Sequence, residues 1–305
     1  MNDELSGILL IDKSAGMTSA GVVAQVKRIL NARKVGHAGT LDPFATGVLI
    51  CCINRATRIA RFFLQGDKTY RALLFLGIET DTGDATGRIT FQKNSIDFSK
   101  DKIRSVLKRF EGGIDQSPPV YSALKYEGVP LYRLAREGNP VQKMPRKVFI
   151  REINPVKIKL PEIWFDVRCS TGTYIRSLGT DIGKMLGCGG HIKELRRLES
   201  SGFRVDEAIS VEKLKALVEK GDWADRLISM RSALKDLPEH TADARLTEKI
   251  THGSPITIDE IPPPSHEDYV KVIDTDNHLL AVLGFSQNKR CYSYCGIFDL
   301  PIQAT

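Results

Sequence analysis

The residues from Lys34 to Leu49, KVGHAGTLDPFATGVL, constrain the fold of this chain more than any other stretch. Gly36, Gly39 and Gly47 mark a backbone that turns sharply or lies against another part of the molecule, because glycine alone takes positive φ without steric cost. Pro43 biases Asp42 away from helical geometry, so its carboxylate is displayed from a shaped loop. Before that loop, Thr18 or Ser19 can cap a helix with Val22, Val26, Ile29 and Leu30 on one face, and Arg33 and Lys34 close it where the macrodipole favours cations. After it, Val48 to Ile53 is a continuous apolar run of strand length. A loop held between rigid elements is a good place for a reactive group. Read alone, the Asp42-Pro43 pair is an ordinary turn.

The rest of the chain alternates helix and strand signals. GILLIDK, from Gly7, reads as a strand, and about Ala56 to Leu64 as a helix. From Tyr70 to Ile78 the spacing predicts a buried strand with Tyr70, Ala72, Leu74 and Leu76 on one face. Tyr70 then buries its ring while its hydroxyl can reach a polar cleft. The stretch TDTGDATG (Thr80 to Gly87) lacks the full spacing and distal glutamate of a calcium loop and reads as a polar turn between strands. Ile103, Val106, Leu107 and Phe110 predict a helix over about Ser99 to Glu111, and two strands follow at about Lys147 to Leu160 and Ile163 to Cys169. Ile175, Leu178, Ile182 and Leu186 form the stripe of a helix from near Gly172 to Gly187. Arg176 falls in the first turn of that helix, where the macrodipole disfavours a cation, so it needs a partner, most naturally a carboxylate.

Charge is unevenly distributed. The whole chain carries +7, but Leu237 to Thr305 holds five Lys/Arg against ten Asp/Glu, leaving +12 on the first 236 residues. Such a basic body suits a polyanion such as RNA, although a merely solvated surface would look the same. Pro118 to Lys147 concentrates the effect: Lys125, Arg133, Arg136, Lys143, Arg146 and Lys147 are interleaved with Tyr121, Tyr126 and Tyr132. Cations for phosphates and rings for unstacked bases are what looped RNA needs. The six cysteines fit no zinc-ligand spacing, and no metal is implied. No apolar run approaches the roughly 20 residues of a membrane span, and MNDELSG lacks a basic signal-peptide start, so the expected location is the cytoplasm.

The string G-H-A-G-T-L-D-P-F-A-T-G-V-L closely resembles the signature of the pseudouridine synthases, specifically the B-type (TruB) family that modifies the T-loop of tRNA. The resemblance covers nearly all of residues 7 to 235. It implies an α+β fold built on a large mixed, mostly antiparallel sheet flanked by helices. It also implies a cofactor-independent isomerisation of the T-loop uridine, tRNA position 55, to pseudouridine, with the base flipped into the site. Carried over residue by residue, it makes Asp42 the catalytic aspartate, Tyr70 of the K-x-Y motif the residue stacking on the target base, and Arg176 of G-T-Y-I-R the partner of Asp42. It places Tyr174 and Leu195 against the target nucleotide and His37 at the RNA. Unaided, Leu195 would be assigned to the core. The PPVYSALK start and the LYRLAREG helix resemble the family's RNA-gripping thumb, here about 118–147, with Lys125, Arg133, Arg136, Lys143, Arg146 and Lys147 as RNA contacts.

The expected organisation is a catalytic domain over 1–236 and a small β-rich, PUA-like domain over 237–305, in a monomer whose partner is the T-arm of tRNA. The resemblance is weakest in the second domain, which carries Pro262-Pro263-Pro264 and a net negative charge. Before it, a Lys-, Glu- and Leu-rich helical stretch runs from Val211 to about Leu237, and strands fall near Tyr269 to Ile273 and Leu279 to Phe285. Two other classes compete. A non-catalytic RNA-binding or tRNA-folding chaperone on the same fold has no physical reason to keep an acid, a tyrosine and an arginine together. A carboxylate glycosidase would want two acids across a cleft, and only Asp42 is a convincing loop carboxylate. No P-loop or dinucleotide fingerprint follows any strand.

Overall fold

A computed structural model describes residues 5–265, 268–287 and 290–298. The first four residues of the start examined for a signal sequence, and the last seven of the C-terminal module, lie outside the described residues. In chain order the body comprises β1 (Gly7–Lys13), α1 (Ser19–Ile29), β2 (Val35–Ala38), β3 (Thr46–Ile53), β4 (Lys68–Leu76), β5 (Ile78–Thr80), β6 (Ile89–Gln92), α2 (Lys100–Lys108), β7 (Gly112–Gln116), β8 (Lys125–Tyr126), β9 (Val129–Pro130), α3 (Leu131–Arg136), β10 (Arg146–Lys159), β11 (Glu162–Cys169), α4 (Ile175–Met185), β12 (Gly190–Ser200), β13 (Phe203–Arg204), α5 (Val211–Lys220) and α6 (Met230–Ala233). The C-terminal module adds β14 (Glu239–Thr241), α7 (Ala244–Thr251), β15 (Tyr269–Ile273), β16 (Leu279–Ser286) and β17 (Cys291–Ile297).

The large sheet runs β1-β3-β12-β4-β11-β10-β7, with β2 paired to β3 and β13 to β12. Only the β12–β3 contact is parallel, so the sheet is mixed and mostly antiparallel. Period-two patterning decides which residues face inward. Tyr70, Ala72 and Leu74 of β4, Phe165 and Val167 of β11 and Leu195 of β12 share one buried cluster with the apolar stripes of α2 and α4. At the β1 edge of the sheet α1 and α5 cover β1 and β3 through Val22, Val26, Leu49 and Leu214. Fully burying such side chains contributes about 1.5–3 kcal/mol each.

The four-stranded sheet β14-β15-β16-β17 has its own core around Val272, Leu280, Leu283 and Ile250. It is seated on the body, because Ile273, Leu279, Val282 and Phe298 join a cluster with Ile8, Ile50 and Phe63. Arg58 Nη1 also donates to Ile297 O at 2.6 Å.

Several elements differ from the sequence expectation. The helix anticipated over Ala56 to Leu64 is two 3-10 turns, Asn54–Arg58 and Ala60–Phe63, entered through Asn54 at φ +50°. The helix anticipated from Gly172 begins at Ile175, because Gly172 sits at φ +84° in the preceding turn. The stretch from Val211 toward Leu237 breaks at Gly221, φ +85°, into α5, a 3-10 turn and α6. The helix over Ser99 to Glu111 ends at Lys108, although Phe110 is still buried. Most consequentially, HIKELRRLES, which gave no strand expectation, is β12, hydrogen-bonded between β3 and β4 near the centre of the sheet. Its charged residues hide the alternation: Arg197 faces inward and Glu194 faces out.

Candidate functional site

Asp42 lies in the loop joining β2 to β3, and that loop is anchored by side chains far away in sequence. Ser19 Oγ accepts from Leu41 N at 2.8 Å and donates to Leu41 O at 3.0 Å. Lys13, fully buried at the end of β1, donates from Nζ to Ser14 O, Met17 O and Pro43 O at 2.9, 2.7 and 3.2 Å. Arg197 of β12 donates from Nε to Val48 O at 2.8 Å and from Nη2 to Gly39 O at 3.0 Å. Gly47 shows why glycine is required here: at φ +107°, a Cβ would stand 2.1 Å from Arg197 O.

The carboxylate of Asp42, 34% exposed, meets the guanidinium of Arg176, 4% exposed. Nε donates to Oδ2 at 2.8 Å and Nη2 to Oδ1 at 3.2 Å, the fork-on-carboxylate arrangement that fixes orientation as well as charge. Two further donors of Arg176 go to Thr82 O and Tyr121 O, each at 2.9 Å. The side chain opposed by its own helix macrodipole is thus held by four interactions from three segments.

Beside the pair is a cavity of about 300 Å³ lined by Asp42, Tyr70, Tyr174 and Leu195, together with Leu64, Lys68, Ser122, Leu124, Arg146 and Arg197. Tyr70 is 8% exposed, and burial raises its hydroxyl pKa against an opposing pull from Arg197. Leu195 is both a core residue and a cavity wall. Tyr174 precedes α4 and has the Arg146 guanidinium 5.0 Å from its ring centroid. His37, in β2 opposite Cys51, is half-buried and is not among the cavity walls. Burial, reinforced by Arg197, lowers its pKa, so its ring is held neutral.

The basic tyrosine-rich segment is an insertion between β7 and β10, which pair with each other. It carries the β8–β9 hairpin and α3, and its base supplies Ser122 and Leu124 to the cavity. Lys125, Arg133, Arg136 and Lys147 are exposed, whereas Lys143 and Arg146 are half-buried. Lys143 Nζ stands 4.6 Å over the Tyr126 ring, and Arg136 lies 5.7 Å from that of Tyr132. Arg146 also donates to Gly172 O.

Sequence reasoning passed over five groups that build this site. Lys13 and Arg197 anchor the Asp42 loop. Lys68 lines the cavity and donates to Leu64 O at 2.8 Å and Gly66 O at 2.6 Å. Gln116, 1% exposed, grips the backbone of Tyr174 in both directions, accepting from its N–H at 2.7 Å and donating to its carbonyl at 3.1 Å. Asp84, from the TDTGDATG turn, lies 3.7 Å from Arg176 and accepts from Thr82 Oγ1, Thr86 N and Thr86 Oγ1. It is a second carboxylate, but it is 5% exposed and not a cavity wall, so the two acids do not flank an open cleft. A lysine ending an apolar strand, as Lys13 does, was the one available signal; nothing local marked Arg197 or Gln116.

Among the described residues the group spaced to hold a metal ion is Asp274, Asp276 and His278, in the β15–β16 turn and not in the cavity wall. No helix among the described residues is long and apolar enough to cross a membrane.

Comparison with known proteins places this geometry in context. Residues 27–175 match the family model described as TruB family pseudouridylate synthase (N terminal domain), and residues 176–237 that described as tRNA pseudouridylate synthase B C-terminal domain. The chain is 43% identical over 257 residues to the tRNA pseudouridine synthase B of Syntrophotalea carbinolica, covering 84% of each chain. It is 49% identical over 214 residues to that of Francisella tularensis subsp. tularensis, covering 70% of this chain and 71% of the relative. Among solved structures, one titled as a Cbf5-Nop10-Gar1 complex superposes with a TM-score of 0.73 at 30% identity, covering 95% of this chain and 82% of that one. An archaeal box H/ACA sRNP Nop10-Cbf5 complex gives the same TM-score at 28% identity, over 96% and 86%.

Proposed function

The chain belongs to the TruB family of pseudouridylate synthases, and on that premise we propose that it converts a uridine in the T-loop of tRNA to pseudouridine in the cavity beside Asp42. The observation that carries this reading is the Asp42–Arg176 pair at the wall of a base-sized cavity that also presents Tyr70 and Tyr174. A carboxylate gripped and oriented by arginine can attack an electrophilic carbon or stabilise a cationic sugar.

Each remaining residue then has a task. Tyr70 stacks on the extruded base, and Tyr174 and Leu195 hold the nucleotide. Extrusion costs a few kcal/mol of stacking, which contacts elsewhere on the RNA offset. Lys125, Arg133, Arg136, Lys143, Arg146 and Lys147 of the insertion supply those contacts, with His37 of β2. The partner is the T-arm of tRNA, bound by one copy of the chain in the cytoplasm. The organisation is a catalytic domain over 1–236 and a PUA-like domain over 237–305, and the separate core around Val272 and Leu283 supports that division.

The test is tritium release from a T-arm transcript labelled at uracil C5, with native protein and with Asp42→Asn. Release by the native protein alone, mapped to the T-loop uridine, is the expected result. A native protein that binds the arm and releases nothing refutes the enzyme reading and leaves a binding protein.

A further inference from the structure

The cavity carries more positive charge than its role as a slot for a neutral base requires. Asp42 is the one carboxylate among its walls, and Arg176 already engages it through two hydrogen bonds. Lys68 and Arg197 are also walls, 7% and 1% exposed, and neither is paired with a carboxylate among the described residues. A buried cation without an anion is costly, and an anion arriving beside it relieves that cost.

Counting donors shows that both cations have capacity left. A guanidinium has five N–H groups and an ammonium has three. Arg197 gives Nε to Val48 O, one Nη2 proton to Gly39 O and a long 3.5 Å contact from Nη1 to Thr40 O. Its charge also bears on the Tyr70 hydroxyl, favouring the ionised form. Lys68 gives two protons to Leu64 O and Gly66 O. Each therefore retains a donor, and both side chains are cavity walls. Burial, with Arg197 nearby, lowers the Lys68 ammonium to about 8, so it is still charged at neutral pH.

Resting on the uridine-isomerase reading above, we propose that Lys68 and Arg197 form an anion seat that holds uracil after it has left the sugar. When the C1′–N1 bond breaks, its electron pair goes to N1, so the base departs as a delocalised anion and the sugar carbon is left electron-deficient beside the Asp42 carboxylate. The base turns, C5 bonds to C1′ with an electron pair of the ring, the C5 proton departs and N1 takes one up. Composition is unchanged and no oxidant or reductant enters. Between the two bonds the base is unattached and negatively charged, and fixed cations keep it in the cavity while leaving it free to rotate. Neutral stacking on Tyr70 alone would not distinguish the anion from the neutral base.

The charge preference is measurable with free pyrimidines as inhibitors of tritium release at neutral pH. Barbiturate is a ring of nearly the same shape that carries a full negative charge there, and uracil is neutral. Native protein is expected to be inhibited by barbiturate at a concentration about tenfold below that needed with uracil, the lower end of what a close buried charge contributes. In Lys68→Met, which keeps an unbranched apolar side chain in place and leaves Arg197, that ratio falls about threefold or more toward one, whereas a purely structural lysine would lower stability and leave the ratio unchanged. A native enzyme that releases tritium but binds both rings alike overturns the anion seat, as does a folded Lys68→Met with an undiminished ratio. If Lys68→Met does not fold, the native ratio decides alone. Absence of tritium release from the native protein is a different failure, that of the isomerase reading itself.

Discussion

Gln116 offers the sharpest test of how the insertion is tied to the site. Its amide accepts from Tyr174 N at 2.7 Å and donates to Tyr174 O at 3.1 Å, and it stands opposite Arg146 where β7 and β10 pair. The two residues that open and close the insertion therefore both hold the Gly172–Tyr174 turn. Gln116→Leu removes both amide bonds and leaves a backbone donor and acceptor facing an apolar side chain. Two net hydrogen bonds at about 1 kcal/mol each, plus the partial cost of two orphaned groups, give a loss of about 2–4 kcal/mol. At about 2–4 °C per kcal/mol, the melting temperature falls by about 4–16 °C. The larger effect is on catalysis, because a displacement of about 1 Å in a positioning group can cost about a hundredfold. Single-turnover tritium release should slow about 10- to 100-fold, while affinity for the T-arm, carried by the cations of the insertion, changes less than about threefold. Gln116→Glu, which can still accept but no longer donate, should fall between. Unchanged turnover in a destabilised Gln116→Leu would refute the reasoning, since the clamp would then hold the fold and not the chemistry.

Three further outcomes follow from the same geometry. Burial lowers Lys13 and Lys68 from 10.5 to about 8, so between those values the unfolded chain binds more protons than the folded one and stability rises with pH. Below about 8 both states are protonated and the cost of burying the charge is fully present, so melts compared at pH 7.5 and 8.5, below the range where the buried cysteines oppose the effect, should show a rise in the native protein that shrinks in Lys68→Met. Gly47→Ala forces a Cβ to within 2.1 Å of Arg197 O at φ +107°, and a loss above about 3 kcal/mol or insoluble expression is expected; wild-type stability would show that the β3–β12 contact can open. Replacing exposed Lys125, Arg133 or Arg136 by Gln should weaken T-arm binding and lower the salt dependence by about 0.7 per lost phosphate contact, measured by titration at several salt concentrations, with the rate on bound RNA unchanged.

What the sequence determined by itself is local. Glycine and proline fixed the Asp42 loop, because their φ limits act within a residue or two. Period-two and period-3.6 patterns located β4, β11, α1, α2 and α4, because each is an apolar stripe read over a few turns or pleats. The unfavourable place of Arg176 on its helix dipole announced that a partner was needed. The tertiary structure decided which groups meet. Arg176 reaches Asp42 across 134 residues and Arg197 reaches Gly39 across 158. Both contacts depend on β12 entering the sheet between β3 and β4, a strand whose inward arginine erased the alternation that would have revealed it. Gln116 and Asp84 were hidden for the same reason. A buried polar side chain is chosen by the backbone groups it satisfies, and those belong to whichever distant segment the folded sheet brings alongside.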